Sequence, residues 1–292
     1  MRKFLLFIKA MRPHQWMKNI FVFAPAVFSK EIFYPTVFKE GVLTFFLFSL
    51  LSSSVYIIND YFDREADRQH PVKKKRPIAS GELPAVPALL FAVILGVAVL
   101  LFALLWRKGV FIILLTYFVL NFLYSCYLKK VPILDVFFVA LGFDLREAAG
   151  GFASDIYLSP WMLTVTFLLA LFLATVKRRQ ELFKLKEGAF SHREILREYN
   201  LPFIDHLISI IAASTVISYM LYTLSPEIKS RFSPNLYLTG PFVLYGLLRY
   251  LYLAHMKGLG DDPMEIILYD TPFQINLFMW GLAVLVIIYF GW

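Results

Sequence analysis

The sequence predicts an all-α, polytopic membrane protein, and three observations carry that prediction. Of 292 residues, 59% are hydrophobic and only 17% are charged, where a soluble domain carries about a quarter charged residues. Apolar runs of about 18 residues or more recur along the chain, each long enough to cross a hydrocarbon layer of about 30 Å. Most of these runs lack the charged face that a helix of a soluble all-α protein turns to water.

Nine spans are expected, near residues 17–36, 39–60, 84–106, 109–128, 132–154, 159–177, 204–224, 237–255 and 273–291. Pro84, Pro132, Pro160 and Pro272 stand where helices would begin, because a first-turn proline lacks only an N–H that has no partner there anyway. Gly109 and Pro202 also fall at junctions. No low-complexity linker or soluble segment interrupts the series, so residues 1–292 are expected to form a single membrane-embedded domain.

The first residues, "MRKFLLFIKAMRPHQW", are basic and only partly apolar. Lys9 breaks the run and no small-residue cleavage site follows, which argues against a cleaved signal peptide. Residues 1–16 read instead as an amphipathic helix lying on the membrane surface. The single Cys126 excludes an internal disulfide and a cysteine metal site. The net charge of +8 does not point to nucleic acid, because in a membrane protein the placement of charge matters more than its sum.

That placement is one-sided. Arg2, Lys3, Lys9, Arg12, Lys18, Arg64, Arg68, Lys73 to Arg76, Lys129, Lys130, Lys177 to Arg179, Lys184, Lys186, Arg193, Arg197 and Lys257 fall on the N-terminal side of the spans. The other side holds Lys30, Lys39, Arg107, Lys108, Lys229 and Arg231. Cytoplasmic loops collect Lys and Arg, so the N-terminus and the charged loops are expected in the cytoplasm.

The second span runs into "NDYFDREAD", residues 59–67. At about 100° per residue, Asn59, Asp63, Asp67 and Asp60 fall within about 100° of arc, one helix face. Acidic residues at the end of a helix oppose its macrodipole, and a shared face of carboxylates repels itself unless a cation neutralises it. Hard oxygen donors suit Mg²⁺, which takes one or two carboxylates and completes its shell with water and phosphate oxygens. A metal-bridged diphosphate is the functional reading; a solvated polar helix end is the structural one.

Three further patches return to the same predicted surface. Lys73, Lys74, Lys75 and Arg76 suit either phosphate or anionic lipid, with Arg76 beside Pro77 the member best placed for substrate. "YSCYLKKVPILD" offers Tyr124, Lys129 and Asp135. "KRRQELFK" offers Lys177, Glu181 and Lys184 on one stripe, with Arg178 at its edge; its bland reading is a Lys177–Glu181 i, i+4 ion pair, worth about 0.5 kcal/mol. Deeper in the spans, Arg146 costs about 3 kcal/mol even on insertion scales, so Arg146 and Arg249 each need a buried partner or an anionic lipid head. Acidic and basic clusters at one surface of an apolar bundle suit a substrate with a phosphorylated head and a long apolar tail.

"NDYFDREAD" resembles the aspartate-rich motif of the UbiA-type membrane prenyltransferases, a superfamily of nine-helix proteins. The resemblance implies a Mg²⁺ site in which Asn59, Asp63 and Asp67 are ligands and Asp60 serves the same chemistry. Most members carry a second "DxxxD" motif near the end of the sixth helix, where this chain has "KRRQE". That departure, with "RPHQWMKN", "NDYFDREADRQHPVKKKRPIASG", "YSCYLKKVPILD", "LREAAGG" and "RYLYL…DDPMEIILYDTP" in order, is similar to the branch that acts on decaprenyl phosphate. Asp144 and Glu147 depart from the more apolar stretch expected around Arg146.

The resemblance to that branch implies transfer of phosphoribosyl from 5-phosphoribosyl 1-diphosphate to a polyprenyl phosphate, with membrane lipid around it. Lys18, Asn59, Arg76, Tyr124, Lys129, Asp135, Arg146, Lys177 and Arg178 are then expected to bind substrate, with Glu181 in a catalytic role. A phosphate nucleophile is anionic at pH 7 and needs no general base, which agrees with five scattered His and no His or Cys constellation. Two alternatives remain: joining a prenyl diphosphate to an aromatic or other apolar acceptor, and transport. The first would favour a second aspartate pair; the second would favour inverted repeats and broken mid-membrane helices.

Overall fold

A computed structural model describes residues 2–69, 72–186, 194–260 and 263–291. Arg193, Asp261 and Asp262, which figured in the sequence reading, lie outside them. The chain divides into two compact units, Met1–Leu158 and Ser159–Trp292. Among the described residues the regular structure is all helical, as expected.

The first unit opens with α1 (Arg2–Met11), a 3-10 segment (Pro13–Phe23) and the short α2 (Ala24–Phe28). Four helices follow: α3 (Pro35–Phe62), the six-residue α4 (Arg64–Gln69), α5 (Ala85–Trp106) and α6 (Lys108–Cys126). The unit closes with α7 (Leu134–Ala153). The second unit contains α8 (Pro160–Lys186), α9 (Leu201–Leu224), α10 (Pro226–Arg231), α11 (Gly240–Met256), α12 (Pro263–Tyr269) and α13 (Thr271–Phe290). Pro35, Pro160, Pro202 and Pro272 sit in the first turns of their helices, the positions where proline costs least.

Among the described residues, six helices are long and apolar enough to cross a membrane: α3, α5, α6, α8, α9 and α13. The expected spans at 132–154 and 237–255 appear as α7 and α11. The former carries Asp135, Asp144, Arg146 and Glu147, and the latter has only 17 residues.

The expected span at 17–36 is not one continuous α-helix. Its first part belongs to the 3-10 segment, followed by α2, which ends at Phe28. Pro25 has no N–H to give to the preceding turn, and Ala24 N–H bonds Phe21 O in the tighter i to i+3 pattern. Buried Asn19 turns inward to Ser49 Oγ at 2.9 Å. At Gly150 of α7 an added Cβ would collide with the Val22 carbonyl, so glycine there is what lets the segment lie directly on α7.

In the first unit Phe48, Leu51, Val99, Leu114, Tyr117 and Ala149 form one buried core that joins α3, α5, α6 and α7. A second cluster seats Leu6, Phe7, Ala10 and Met11 of α1 against Ile57, Ile78, Leu83 and Ala88. Phe4 and Leu5 face outward and are exposed, so α1 has one apolar edge on the protein and another free of it.

Candidate active site

Helix α3 ends at Phe62, but its hydrogen-bond ladder runs on. Asp63 N–H bonds Asn59 O at 2.9 Å, and Asp67 N–H bonds Asp63 O at 2.8 Å. The brief break at Asp63 (φ −87°, ψ 2°) restarts the helix, which places Glu65 and Asp67 in the first turn of α4. There a carboxylate is favoured by the macrodipole. The dipole argument from sequence therefore applies to the end of α3 and not to Asp67.

The four oxygen-bearing side chains fall into two pairs by direction. Asp60 and Asp67 are 1% and 3% exposed and meet at one atom: Arg76 Nη1 lies 3.0 Å from Asp60 Oδ1 and 2.5 Å from Asp67 Oδ2. Arg12 Nη2 donates to the same Asp60 oxygen at 2.5 Å, and its guanidinium lies over the Tyr56 ring. Arg12 itself takes a left-handed backbone (φ 53°, ψ 62°), uncommon for a non-glycine residue, at the corner between α1 and the 3-10 segment. Asn59 and Asp63 face α6 and the turn after it. Lys129 Nζ donates to Asp63 Oδ1 at 2.8 Å. Ser125 Oγ stands 2.9 Å from Asn59 Oδ1 and 2.9 Å from Asn121 O.

The donor set suits a hard divalent cation. Two buried carboxylates frame one cationic position, and an asparagine and a third carboxylate stand on the adjoining turn. Among the described residues no three His, Cys, Asp or Glu side chains gather closely enough to hold a metal by themselves. Mg²⁺ needs only one or two carboxylates beside water and phosphate oxygens.

Of the other expected residues, Lys18 is exposed on the 3-10 segment. Asp135 is buried in the first turn of α7, the positive end of that helix. Tyr124 lines a small cavity with Asn121, Phe138, Gly142 and Leu145. Arg146 is buried, and its hydrogen bonds go to neutral groups: Asn19 Oδ1 at 2.7 Å, Tyr117 Oη at 3.3 Å and the Gly142 carbonyl. Phe48, Tyr117 and Phe143 surround its guanidinium at 5.1–5.3 Å. Arg146 thus ties the 3-10 segment to α7, α6 and α3 through amide, hydroxyl and aromatic partners. Sequence neighbours Asp144 and Glu147 are not among them.

In the second unit "KRRQE" lies in the C-terminal part of α8. Lys177 is exposed while Arg178, Arg179 and Gln180 are buried. Glu181 pairs with Arg178 at 2.5 Å, an i, i+3 contact, where the sequence suggested Lys177 at i, i+4. The register favours Arg178 because its head is turned into the protein beside Glu181. Arg179 Nε and His255 Nε2 both approach Asp205 Oδ1, at 2.6 and 3.2 Å. Arg249 forms a two-pronged pair with Asp270, at 3.1 and 2.8 Å, the buried partner its position demanded. The carboxylate also caps α13 by accepting Phe273 N–H.

Sequence reasoning assigned no role to Arg12, Asn19, Tyr117, Ser125, Arg179 or Asp205. Arg12 and Asn19 belong to the block "RPHQWMKN", and Arg179 to "KRRQE"; the signal was the blocks, since none of the three side chains' directions can be read from them.

A family model described as "UbiA prenyltransferase family" matches residues 20–262. The chain is 33% identical over 299 residues to "Decaprenyl-phosphate phosphoribosyltransferase" of Mycolicibacterium smegmatis, covering 97% of this chain and 92% of the relative. It is 30% identical over 290 residues to the protein of that name in Mycobacterium tuberculosis, covering 97% and 94%. The fold is similar to that of a UbiA homologue from Archaeoglobus fulgidus solved bound to DMAPP and Mg²⁺, with a TM-score of 0.71 and 21% identity, over 97% of this chain and 99% of that one. From the aspartate motif on α3 and α4 to the match across most of its length, the chain belongs to the UbiA prenyltransferase family.

Proposed function

We propose that the protein transfers 5-phosphoribosyl from phosphoribosyl diphosphate to a polyprenyl phosphate, giving polyprenyl-phosphoryl-5-phosphoribose and diphosphate. The observation that carries this reading is near-full-length identity of 33% to a relative named for that chemistry. The replacement of a second aspartate motif by "KRRQE" agrees with it. A donor and an acceptor that both carry phosphate need fixed cations more than a second acidic site, whereas a prenyl diphosphate with an uncharged acceptor would need the reverse.

In the reaction the C1–O bond to diphosphate breaks, positive charge builds on the ribose ring, and a phosphate oxygen of the lipid forms the new bond to C1. Asn59, Asp63 and Asp67, with Asp60 beside them, would hold Mg²⁺, which when bound supplies charge neutralisation to the leaving diphosphate. Arg76 and Lys129, seated on the carboxylates, present donors to phosphate oxygens, and Arg12 fixes Asp60. In the same reading Lys18 and Tyr124 of the first unit contact substrate, whereas Asp135 is wholly buried in the first turn of α7. On the second unit Lys177 and Arg178 would supply further cations for phosphate, and Glu181 would orient Arg178. The contribution of these residues is positioning and electrostatic stabilisation, with no proton transfer required. Purified protein incubated with polyprenyl phosphate, Mg²⁺ and labelled phosphoribosyl diphosphate should yield labelled lipid; turnover of a prenyl diphosphate with an aromatic acceptor instead would reassign it.

The same reading places the whole chain in one membrane domain of the cell membrane. It has nine crossings, the first of them broken into the 3-10 segment and α2. The N-terminus is cytoplasmic, and α1 lies on the inner surface with Phe4 and Leu5 in the lipid. After Cys126→Ser, a cysteine at Lys74 should react with an impermeant reagent only from the cytoplasmic side, and one at Lys229 only from outside. Reaction of both from one side would overturn this orientation.

A further inference from the structure

The hydroxyl of Ser125 has one proton and two oxygen neighbours. Its Oγ stands 2.9 Å from Asn121 O, one turn back in α6, and 2.9 Å from Asn59 Oδ1 at the end of α3. A serine hydroxyl donates once and accepts through its lone pairs. If the proton goes to Asn59 Oδ1, the Ser125 and Asn121 oxygens face each other at hydrogen-bond distance with no hydrogen between them. If it goes to Asn121 O, the common back-bond of a helical serine, the same conflict arises at Asn59.

One rearrangement removes both conflicts. The two ends of an asparagine amide have nearly the same shape, and the hydrogen-bond network decides which faces where. Turned about its Cβ–Cγ bond, Asn59 gives an N–H to Ser125 Oγ while Ser125 gives its proton to Asn121 O. Both 2.9 Å contacts of Ser125 then carry a hydrogen, and Asn59 Oδ1 is turned away from Ser125.

We propose that Ser125 is a positioning residue that holds the Asn59 amide by its nitrogen end and so presents Asn59 Oδ1 as an oxygen ligand beside Asp63. This rests on the reading of the aspartate motif as a divalent-cation site. Such outer partners fix the direction of a ligand, and losing one costs about ten- to a hundredfold in metal affinity or activity. Ser125 itself touches neither metal nor substrate. It acts through Asn59, because a released amide has lost the bond that fixes which of its two ends faces the site.

The test is Mn²⁺ binding to purified protein, followed by electron paramagnetic resonance without substrate. Ser125→Ala should weaken binding by about tenfold or more, and Ser125→Thr, which keeps the hydroxyl, should restore it. In an Asn59→Asp background both ends of the side chain are oxygen, so Ser125→Ala should change Mn²⁺ affinity less than twofold. Unchanged affinity in Ser125→Ala, an equal loss in the Asn59→Asp background, or no saturable Mn²⁺ binding by the wild type would each overturn the proposal. Labelled lipid formation is assayed on the same samples. Ser125-dependent Mn²⁺ binding without phosphoribosyl transfer would support the positioning role while removing the proposed reaction. Transfer with Ser125-independent binding would do the opposite.

Discussion

Arg12 Nη2 and Asp60 Oδ1 lie 2.5 Å apart across 48 residues of sequence. The contact joins the corner after α1 to the end of α3, and Asp60 is almost wholly buried. Arg76 approaches the same oxygen from the other side, so two guanidinium groups hold one carboxylate. Such an arrangement offsets part of the desolvation of the carboxylate and fixes the level at which the aspartate motif sits.

Arg12→Ala should therefore destabilise the protein. Breaking a buried pair by removing one partner costs about 3–5 kcal/mol, and the lower end is expected because Arg76 remains on Asp60. Thermal unfolding in detergent measures it. In an Asp60→Asn background the same substitution should cost clearly less; an equal cost would mean that Arg12 acts through packing.

Asp63→Asn and Asp67→Asn should each lower phosphoribosyl transfer by at least about a hundredfold, since even outer-shell partners of a metal cost about ten- to a hundredfold. EDTA should abolish turnover, and added Mg²⁺ should restore it. Both variants should keep the wild-type elution profile in size-exclusion chromatography. Full activity in either would remove that carboxylate from the site.

Lys177→Ala and Arg178→Ala should lower activity with phosphoribosyl diphosphate by about ten- to a hundredfold, the effect of losing a charge-assisted contact worth about 1.5–3 kcal/mol. The two should differ in stability. Lys177 is exposed, so its replacement should leave the unfolding midpoint unchanged. Arg178 is buried against Glu181, so Arg178→Ala and Glu181→Ala should lower it. Wild-type activity in both lysine and arginine variants would remove "KRRQE" from the phosphate-binding role.

Asp270 gives a pH dependence. The Arg249 guanidinium and, to a lesser degree, the Phe273 amide hold its carboxyl below the ordinary carboxylate range. A group whose folded pKa is lowered stabilises the protein above its unfolded value, about 3.9, and that stability is lost as pH falls through the lowered folded value. Unfolding midpoints measured downward from pH 6 should thus fall more steeply in the wild type than in Asp270→Asn. Parallel curves would show that the pair makes no pH-linked contribution.

Much of this protein was determined by its sequence alone. Length and apolarity of the runs specify membrane-spanning helices, because a chain in hydrocarbon must satisfy its backbone internally. Prolines mark the helix starts because that is where a missing N–H costs least. The spacing of Asn59, Asp60, Asp63 and Asp67 brings them within about two helical turns of one another because helical geometry is local.

Tertiary structure decided which of those groups meet. Packing brings Arg76 to Asp60 and Asp67, and Ser125 and Lys129 to Asn59 and Asp63. It also decided that the first run bends into a 3-10 segment, since the advantage of that bend lies in Asn19 reaching Arg146 and in Val22 lying on Gly150. Arg12 reaches Asp60 from 48 residues away. No local pattern encodes such a contact, because it exists only once the core between the helices has packed and set the distance the side chain must span.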